Sequence, residues 1–533
     1  MQVGSRRTAK FSFYYSLIVL FAVVHLIRPT TAWSQMENAN WIFGYGAGIN
    51  FNSSPPSVIS GVQLFTDEGC ASVSDKNGNL LFYTDGRTVW NFNHSIIANG
   101  TGLMAHISST QAALITSKPG NCDQYYIFTT DGAENNFSNG LRYSVVDMSA
   151  LNGLGQVVQK NILLHTPVVE KLIVIPAIDS SYIWLLAHEW NSDAFLLFKI
   201  SENNITLERK QNIGAIHTGG IGNVNGVGYA KVNASGTKIA LINRSINSVE
   251  LFDFDRNTGL LSNPIDLNPL FEKGYGIEFS PDDSKLYVGT DFHLYQYDLT
   301  VPTKNAILAS EFLITSTFRT LRALQRAPDN KIYVAIRSQN FLGVINNPNL
   351  KGNDINYIEQ GLFVNPGTSV FGLPTPSTVL SSSLNFSLES DTTLCPNETL
   401  LIDLSNISGS YKWQDGSQNS KYTISSSGNY YVTISNSCGE FTDSIRVDFT
   451  NLDSLFIPNI ITPNNDDWNQ YFEVDVRLSG STIEIFNRWG KTVYYSSSYY
   501  NDWDGGNLAS GVYYYTLVDQ CLNQHKGLIH LIR

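Results

Sequence analysis

Four arginines stand far apart in the middle of the chain: Arg142, Arg244, Arg322 and Arg337. If that region closes into a ring of similar units, each falls in a different unit and all four can converge on a central channel. Titratable groups from several units meeting in a channel would mark an enzyme. Solvated surface arginines are the commoner arrangement. Asp75, Asn77 and Asn79 set three side-chain oxygens at alternate positions, as a calcium loop does, but the distal glutamate is missing and a plain turn is the preferred reading. His188-Glu189 and His217 stand beside strand-like runs. The glycines of "IHTGGIGNVNGVGY" (216–229) lack the strand-turn-helix setting of a phosphate cradle. No G-x-S-x-G, H-E-x-x-H or P-loop occurs. Trp90 and Trp190 would suit sugar stacking if exposed and a core if buried. The expectation is therefore no catalytic residue, no metal ligand and no cofactor, with structural calcium held open, and an unidentified binding site.

The elements that must carry these residues are read from composition. Of 533 residues, 42% are hydrophobic, 12% aromatic and only 15% charged. Aromatic and β-branched residues with 41 glycines suit pleated sheets and tight turns, so the fold class expected is all-β. The formal charge of −12, with no basic block, argues against nucleic acid and against anionic lipid as partners. The N-terminus pairs Arg6, Arg7 and Lys10 with an apolar run over 11–27 and small residues at Thr31, Ala32 and Ser34. This reads as a secretory signal peptide over 1–34. The run is short for a membrane span, which needs about 20 apolar residues, and the mature chain shows no other candidate span. The route expected is the Sec pathway, through the periplasm to a secreted or cell-surface location. An exported chain can keep disulfides, and the odd count of 5 cysteines leaves at least one thiol unpaired within it.

A turn followed by Lys, Asn or a similar residue and then an apolar strand recurs at Asn79, Gln124, Ser181, Lys238, Lys285 and Lys331, with steps of 45, 57, 57, 47 and 46. That period, with Asp/Asn/Gly turns, is the signature of β-propeller blades. A further step reaches "FGLPTPS" (371–377), which resembles a blade's first strand, and "NANWIFGYGAGINF" (38–51) resembles the strand that follows. A composite last blade would bring the count to about seven, over residues 35–378. After a serine-rich connector, residues 385–450 read as a small Ig-like or PKD-like sandwich. Asp415-Gly416 reads there as a hairpin turn, and Cys395 and Cys438, with Trp413 between them, are expected to be bonded.

The last 80 or so residues alternate short strands with turns. Four motifs follow in order: Pro458-Asn459 with Thr462-Pro463-Asn464; Phe486-Asn487-Arg488-Trp489-Gly490; Asn501-Asp502-Trp503-Asp504-Gly505; and Gly511 to Tyr513 with a closing "KG…R". This segment, 453–533, resembles the gliding motility-associated C-terminal domain of Bacteroidetes, the type B sorting domain of the type IX secretion system. The loop after Asn464 departs from the family pattern, reading Asn465-Asp466-Asp467-Trp468-Asn469-Gln470. The resemblance implies a β-sandwich, a passage directed at the outer membrane and the type IX machinery as partner. Trp489, Trp503 and Tyr513 are read as core. The expected payload is a binding or adhesion module holding a glycan or protein ligand in the propeller. The alternative is an extracellular polysaccharide hydrolase or lyase with its site in the channel.

Overall fold

The computed structural model describes residues 36–533 apart from 245, 247, 268–272, 381–386, 406, 408 and 437–438. The expected leader, 1–34, and Cys438 lie outside the described residues. The chain divides into two compact units, 1–381 and 382–533. Among the described residues no helix is long and apolar enough to cross a membrane.

The first unit is a β-propeller. Six four-stranded antiparallel meanders follow one another, with innermost strands Ala71–Ser74, Ala113–Lys118, Val168–Pro176, Ala230–Val232, Gly276–Phe279 and Leu321–Arg326. The outermost strands of the first two meanders touch through a parallel pairing of Gln156 with Ala98, which makes them one eight-stranded sheet. A three-stranded sheet, Asn40–Phe43, Ala47–Asn50 and Ser57–Val58, takes the seventh place. The sequence repeat marks the second strand of each blade: Leu80–Thr84, Ile183–Glu189, Lys238–Asn243, Lys285–Gly289 and Ile332–Ile336 begin at or just after the repeat residue. Inner strands are buried on both faces because neighbouring blades cover them, so they read as continuous apolar runs rather than alternating ones.

Turn chemistry explains the repeat. Asp283 (φ +62°) and Asn330 (φ +61°) hold left-handed turn positions, where Asn and Asp are tolerated. The Asp283 carboxylate also accepts from Asn233 Nδ2 and from the Ala234 and Ser235 amides, so one blade's turn is tied to the next. Asp75 closes its turn on itself: Oδ1 accepts from the Asn77 and Asn79 amides at 2.8 and 2.9 Å.

The second unit holds two parts. Over Thr392–Phe449 a four-stranded sheet and the pair Leu400–Asp403/Lys421–Ile424 enclose Trp413, Ile424, Val432, Ile434 and Val447. Asp415-Gly416 is a turn between strands of different sheets, not a hairpin: Ser410–Trp413 pairs with Gly428–Asn436, and Lys421–Ile424 with Leu400–Asp403. The expected Cys395–Cys438 bond is corrected as well, for Cys395 is bonded to Cys521. The terminal part is a five-stranded sheet in the order Ile460–Ile461, Gln524–Leu531, Gly511–Val518, Thr482–Phe486 and Thr492–Ser496. Its inner face packs Ile483, Ile485, Tyr513, Tyr515 and Leu517 against Phe472, Tyr499 and Trp503 from the covering loops.

Candidate functional site in the propeller axis

The axis is filled by the chain itself. Residues 368–380 run across the inner strands without forming a regular strand of their own. The Phe371 amide donates to Asp67 O, and Phe371 O accepts from Ala323 N. The Thr375 amide donates to Cys70 O, and Thr378 exchanges bonds with Ile115 and Ser117. Asn38 locks the ends together: its Nδ2 donates to Ser377 O at 3.0 Å and its Oδ1 accepts from the Ser377 amide at 2.8 Å. The closing segment thus occupies the inner place of the seventh blade, with its bonds sent sideways to other blades. Glycine is required where it crosses: a Cβ on Gly372 would stand 1.9 Å from Glu68 O.

At one end of the inner strands three of the four arginines gather. Arg244 and Arg322 both bind Asp291 Oδ1, at 2.8 and 2.6 Å, and both guanidiniums lie over the Tyr275 ring. Arg322 and Arg337 lie over the Phe371 ring at 5.0 and 4.9 Å. Arg322 and Arg337 belong to one blade, not two as expected. Arg142 does not join them; it donates to Asn139 O and Asn161 O within its own blade. Tyr45 stacks on Phe65 in solvent, and Phe292, next to Asp291, and Phe318, under the Arg319 guanidinium, are exposed too. By contrast Trp90 packs on Tyr83 and Trp190 on Phe137, and both are buried, so neither is a stacking platform.

Acidic groups missed by sequence reading lie beneath. Burial, and then the charge of Glu170, raise the Glu68 carboxyl well above the usual range, while its contact with the buried Tyr275 hydroxyl lowers it in part. Glu170 accepts from the Thr110 amide and hydroxyl and from the Ala133 amide. Burial nonetheless pushes it up to about 7, while burial lowers Lys171, whose ammonium donates to Gly226 O and Val227 O. His188 and His217 stack at 3.8 Å, and burial holds both well below the ordinary imidazole value. His217 faces Glu250 at 3.2 Å. The one signal for these groups in the sequence was His188-Glu189 beside His217; Glu68 and Glu170 stand in no motif.

Glu170 gives a pH test. A carboxyl raised in the fold contributes stability below its ordinary value near 4.5 that is lost as pH rises through about 7. The histidines act oppositely, losing stability as pH falls below about 6.5. Comparing Glu170→Gln with the parent removes the common histidine contribution. The variant is expected to gain on the parent by about 1–3 kcal/mol between pH 5 and pH 8 in urea unfolding. A difference independent of pH would sink this assignment.

In the terminal sheet the motif residues are turn-builders. Asn487 Oδ1 accepts from the Trp489 and Lys491 amides, and Gly490 (φ +76°) completes the turn. This lifts Trp489 to the tip, 75% exposed under the Arg488 guanidinium, so the expectation that it is core is corrected. Trp503 and Tyr513 are buried as expected. Asn501 bonds both ways to the Val474 backbone, Asp502 accepts from Tyr494, and Asp504 accepts from the Gly506 amide beside Gly505 (φ +81°). The Asn459 carbonyl takes the His530 amide, Thr462 bonds Asn469 O, and Asn464 bonds Asp466 and Gln470. Arg533 caps the loop by donating to Leu508 O and Gly506 O. Trp489→Ala is expected to change unfolding free energy by no more than about 0.5 kcal/mol, measured in urea, because the ring touches solvent on most sides.

Among curated proteins none matches the sequence. Among solved structures the chain is similar to the periplasmic gluconolactonase of Pseudomonas aeruginosa at 14% identity and a TM-score of 0.40, over 63% of this chain and 97% of that one. It is similar to Hsv2 of Kluyveromyces lactis at 10% identity and a TM-score of 0.34, over 58% and 90% of the two chains. The scan of family models matches residues 455–531 to the CHU_C type IX secretion signal domain. The C-terminal part of this chain is therefore a type IX secretion signal domain, which implies engagement with that machinery and export to the cell surface or extracellular space.

Proposed function

We propose that the propeller is an exported binding module that captures a glycan or protein ligand across its arginine mouth. The observation that carries this is the aromatic rim. Tyr45 and Phe65 stack side by side in solvent, and Phe292, next to Asp291, and Phe318, 86% exposed, add two more exposed rings. Exposed aromatic faces suit sugar rings and peptide side chains alike. Inside the mouth Arg244 and Arg322 are paired with Asp291, so they fix the rim rather than attack a substrate. Arrays of polysaccharides, glycans and peptides, probed with the mature chain and with Tyr45→Ala/Phe65→Ala, test the reading. Capture by the parent and its loss in the double variant are expected, with no product released. Capture that survives the double variant would overturn it.

A hydrolase or lyase acting on extracellular polysaccharide is the second reading. It is favoured by the Glu68 carboxyl and the Tyr275 hydroxyl beside it, which come from different blades. Product release abolished by Glu68→Gln would select it.

A further inference from the structure

At the opposite end of the inner strands lies a cavity of about 210 Å³, floored by the closing segment and walled by Leu114, Leu172, Val174 and Val232. Lys231, Thr375 and Arg326 are among the polar residues that line it. Lys231, 6% exposed, stands 3.1 Å from Glu278 Oε2 and donates to Gln325 Oε1. An ammonium has three protons, so one is left without an oxygen acceptor, with the Tyr229 ring centre 5.3 Å from the nitrogen. Thr375, 3% exposed, has a buried hydroxyl with no partner.

Arg326 lines the same space. Its backbone is engaged, the amide to Glu278 Oε2 at 3.1 Å and the carbonyl to Gln325 at 2.9 Å. Among the described residues its guanidinium makes no ion pair and no hydrogen bond. Two cations therefore face one carboxylate, in a chain whose net charge is −12. Asp283, near the opening, is already taken up by Asn233 Nδ2 and the Ala234 and Ser235 amides.

We propose that this cavity binds a small carboxylate about the size of one sugar acid. Its carboxylate would lie on the planar fork of Arg326 and the spare Lys231 proton. Another ligand oxygen would satisfy Thr375, and the carbon skeleton would rest on the aliphatic walls. A guanidinium matches the two oxygens of a carboxylate in one plane, and mostly apolar walls disfavour a fully hydrated tetrahedral anion. The volume is below that of sites for drug-sized ligands, which limits the occupant to about one ring.

Calorimetric titration of the mature full chain with D-glucuronate tests this, with D-glucose and inorganic phosphate as the neutral and tetrahedral counterparts. Saturable 1:1 binding of glucuronate is expected, with glucose and phosphate weaker by about tenfold or more. Arg326→Gln is expected to weaken glucuronate about 10–100-fold. That side chain is half-exposed and unpaired, so its melting temperature should match the parent's; a Lys231 variant would instead strand Glu278. Thr375→Val should weaken binding less, with the parent's fold. No saturable heat at millimolar glucuronate, equal binding of glucose, stronger binding of phosphate or an unaffected Arg326→Gln would each overturn the assignment. Rim variants should leave this binding intact, so failure of the rim reading and failure of this one are separable.

Discussion

Replacing Cys521 by serine is expected to destabilise the C-terminal unit by several kcal/mol. Cys395 and Cys521 are 126 residues apart in sequence. Chain-entropy reasoning gives about 5 kcal/mol for a loop of that length, and native disulfides removed from small domains cost about 2–5 kcal/mol. The local turn does not depend on the bond. Asp519 Oδ1 accepts from the Cys521 and Asn523 amides at 2.9 Å each, and Asp519 Oδ2 pairs with His525. Serine at 521 should therefore keep the hairpin between Gly511–Val518 and Gln524–Leu531 and lose only the link. Urea unfolding of the mature chain, followed by tryptophan fluorescence, reads the loss. Cys395→Ser should match Cys521→Ser, and the double variant should cost no more than either, because all three remove one bond. A loss below about 0.5 kcal/mol, or additive single variants, would show that the bond carries no stability. The link also makes the secretion signal domain and the sandwich before it one covalent loop, so the parent should unfold this unit in one step and the variants in two.

How far these features were legible in the sequence follows from the range of the interactions that make them. The blades were legible because each is announced by a local turn: Pro-Asp-Asp and Asn-Gly act within a few residues. The repeat steps pointed to about seven of them and left the count open. The closing segment was placed correctly in the ring but read as a strand. Its bonds reach Asp67, Cys70, Ile115 and Ala323, and no local pattern encodes those partners. The cysteine pairing failed for the same reason: the 43-residue spacing of Cys395 and Cys438 resembles a familiar domain, whereas the true partner is set by how two modules pack. Trp489 was misread because hydrophobicity outweighed position. The residue before the Gly of a tight Asn-x-x-Gly turn stands at its apex, and that signal was present. The arginine cluster was half legible: Arg244 and Arg337 fall in the turns after second strands and Arg322 at the start of an inner strand, both at the same mouth, while Arg142 sits in a third strand away from the axis. Glu68 and Glu170 were invisible, since a lone glutamate beside an apolar run looks like any surface acid until the ring closes over it.

Asp291→Ala is expected to cost about 3–5 kcal/mol, because it leaves two guanidiniums side by side without their counter-charge. All three side chains are mostly buried, and both arginines converge on the same Oδ1. Burial alone would raise the Asp291 carboxyl; Arg322 and then Arg244 outweigh it and hold it below the usual range. A carboxyl depressed in the fold contributes stability above its ordinary value near 3.8 that is lost as pH falls through the lower folded value. The parent should therefore lose this contribution below about pH 4, and Asp291→Ala should show no such loss. Arg322→Ala should cost less than Asp291→Ala, since Arg244 still neutralises the carboxylate, and the double variant should fall well short of the sum of the two. The consequence reaches the closing segment. Phe371 lies beneath both Arg322 and Arg337, and its backbone bridges Asp67 O and Ala323 N. Freeing Arg322 from Asp291 removes the clamp on that ring, so amide exchange at Phe371 and Ala323 should rise before that of the Leu286 and Val334 amides in the blades. Unfolding free energy unchanged in Asp291→Ala, or exchange rising first in the blades, would mean that the aromatic packing alone closes the ring.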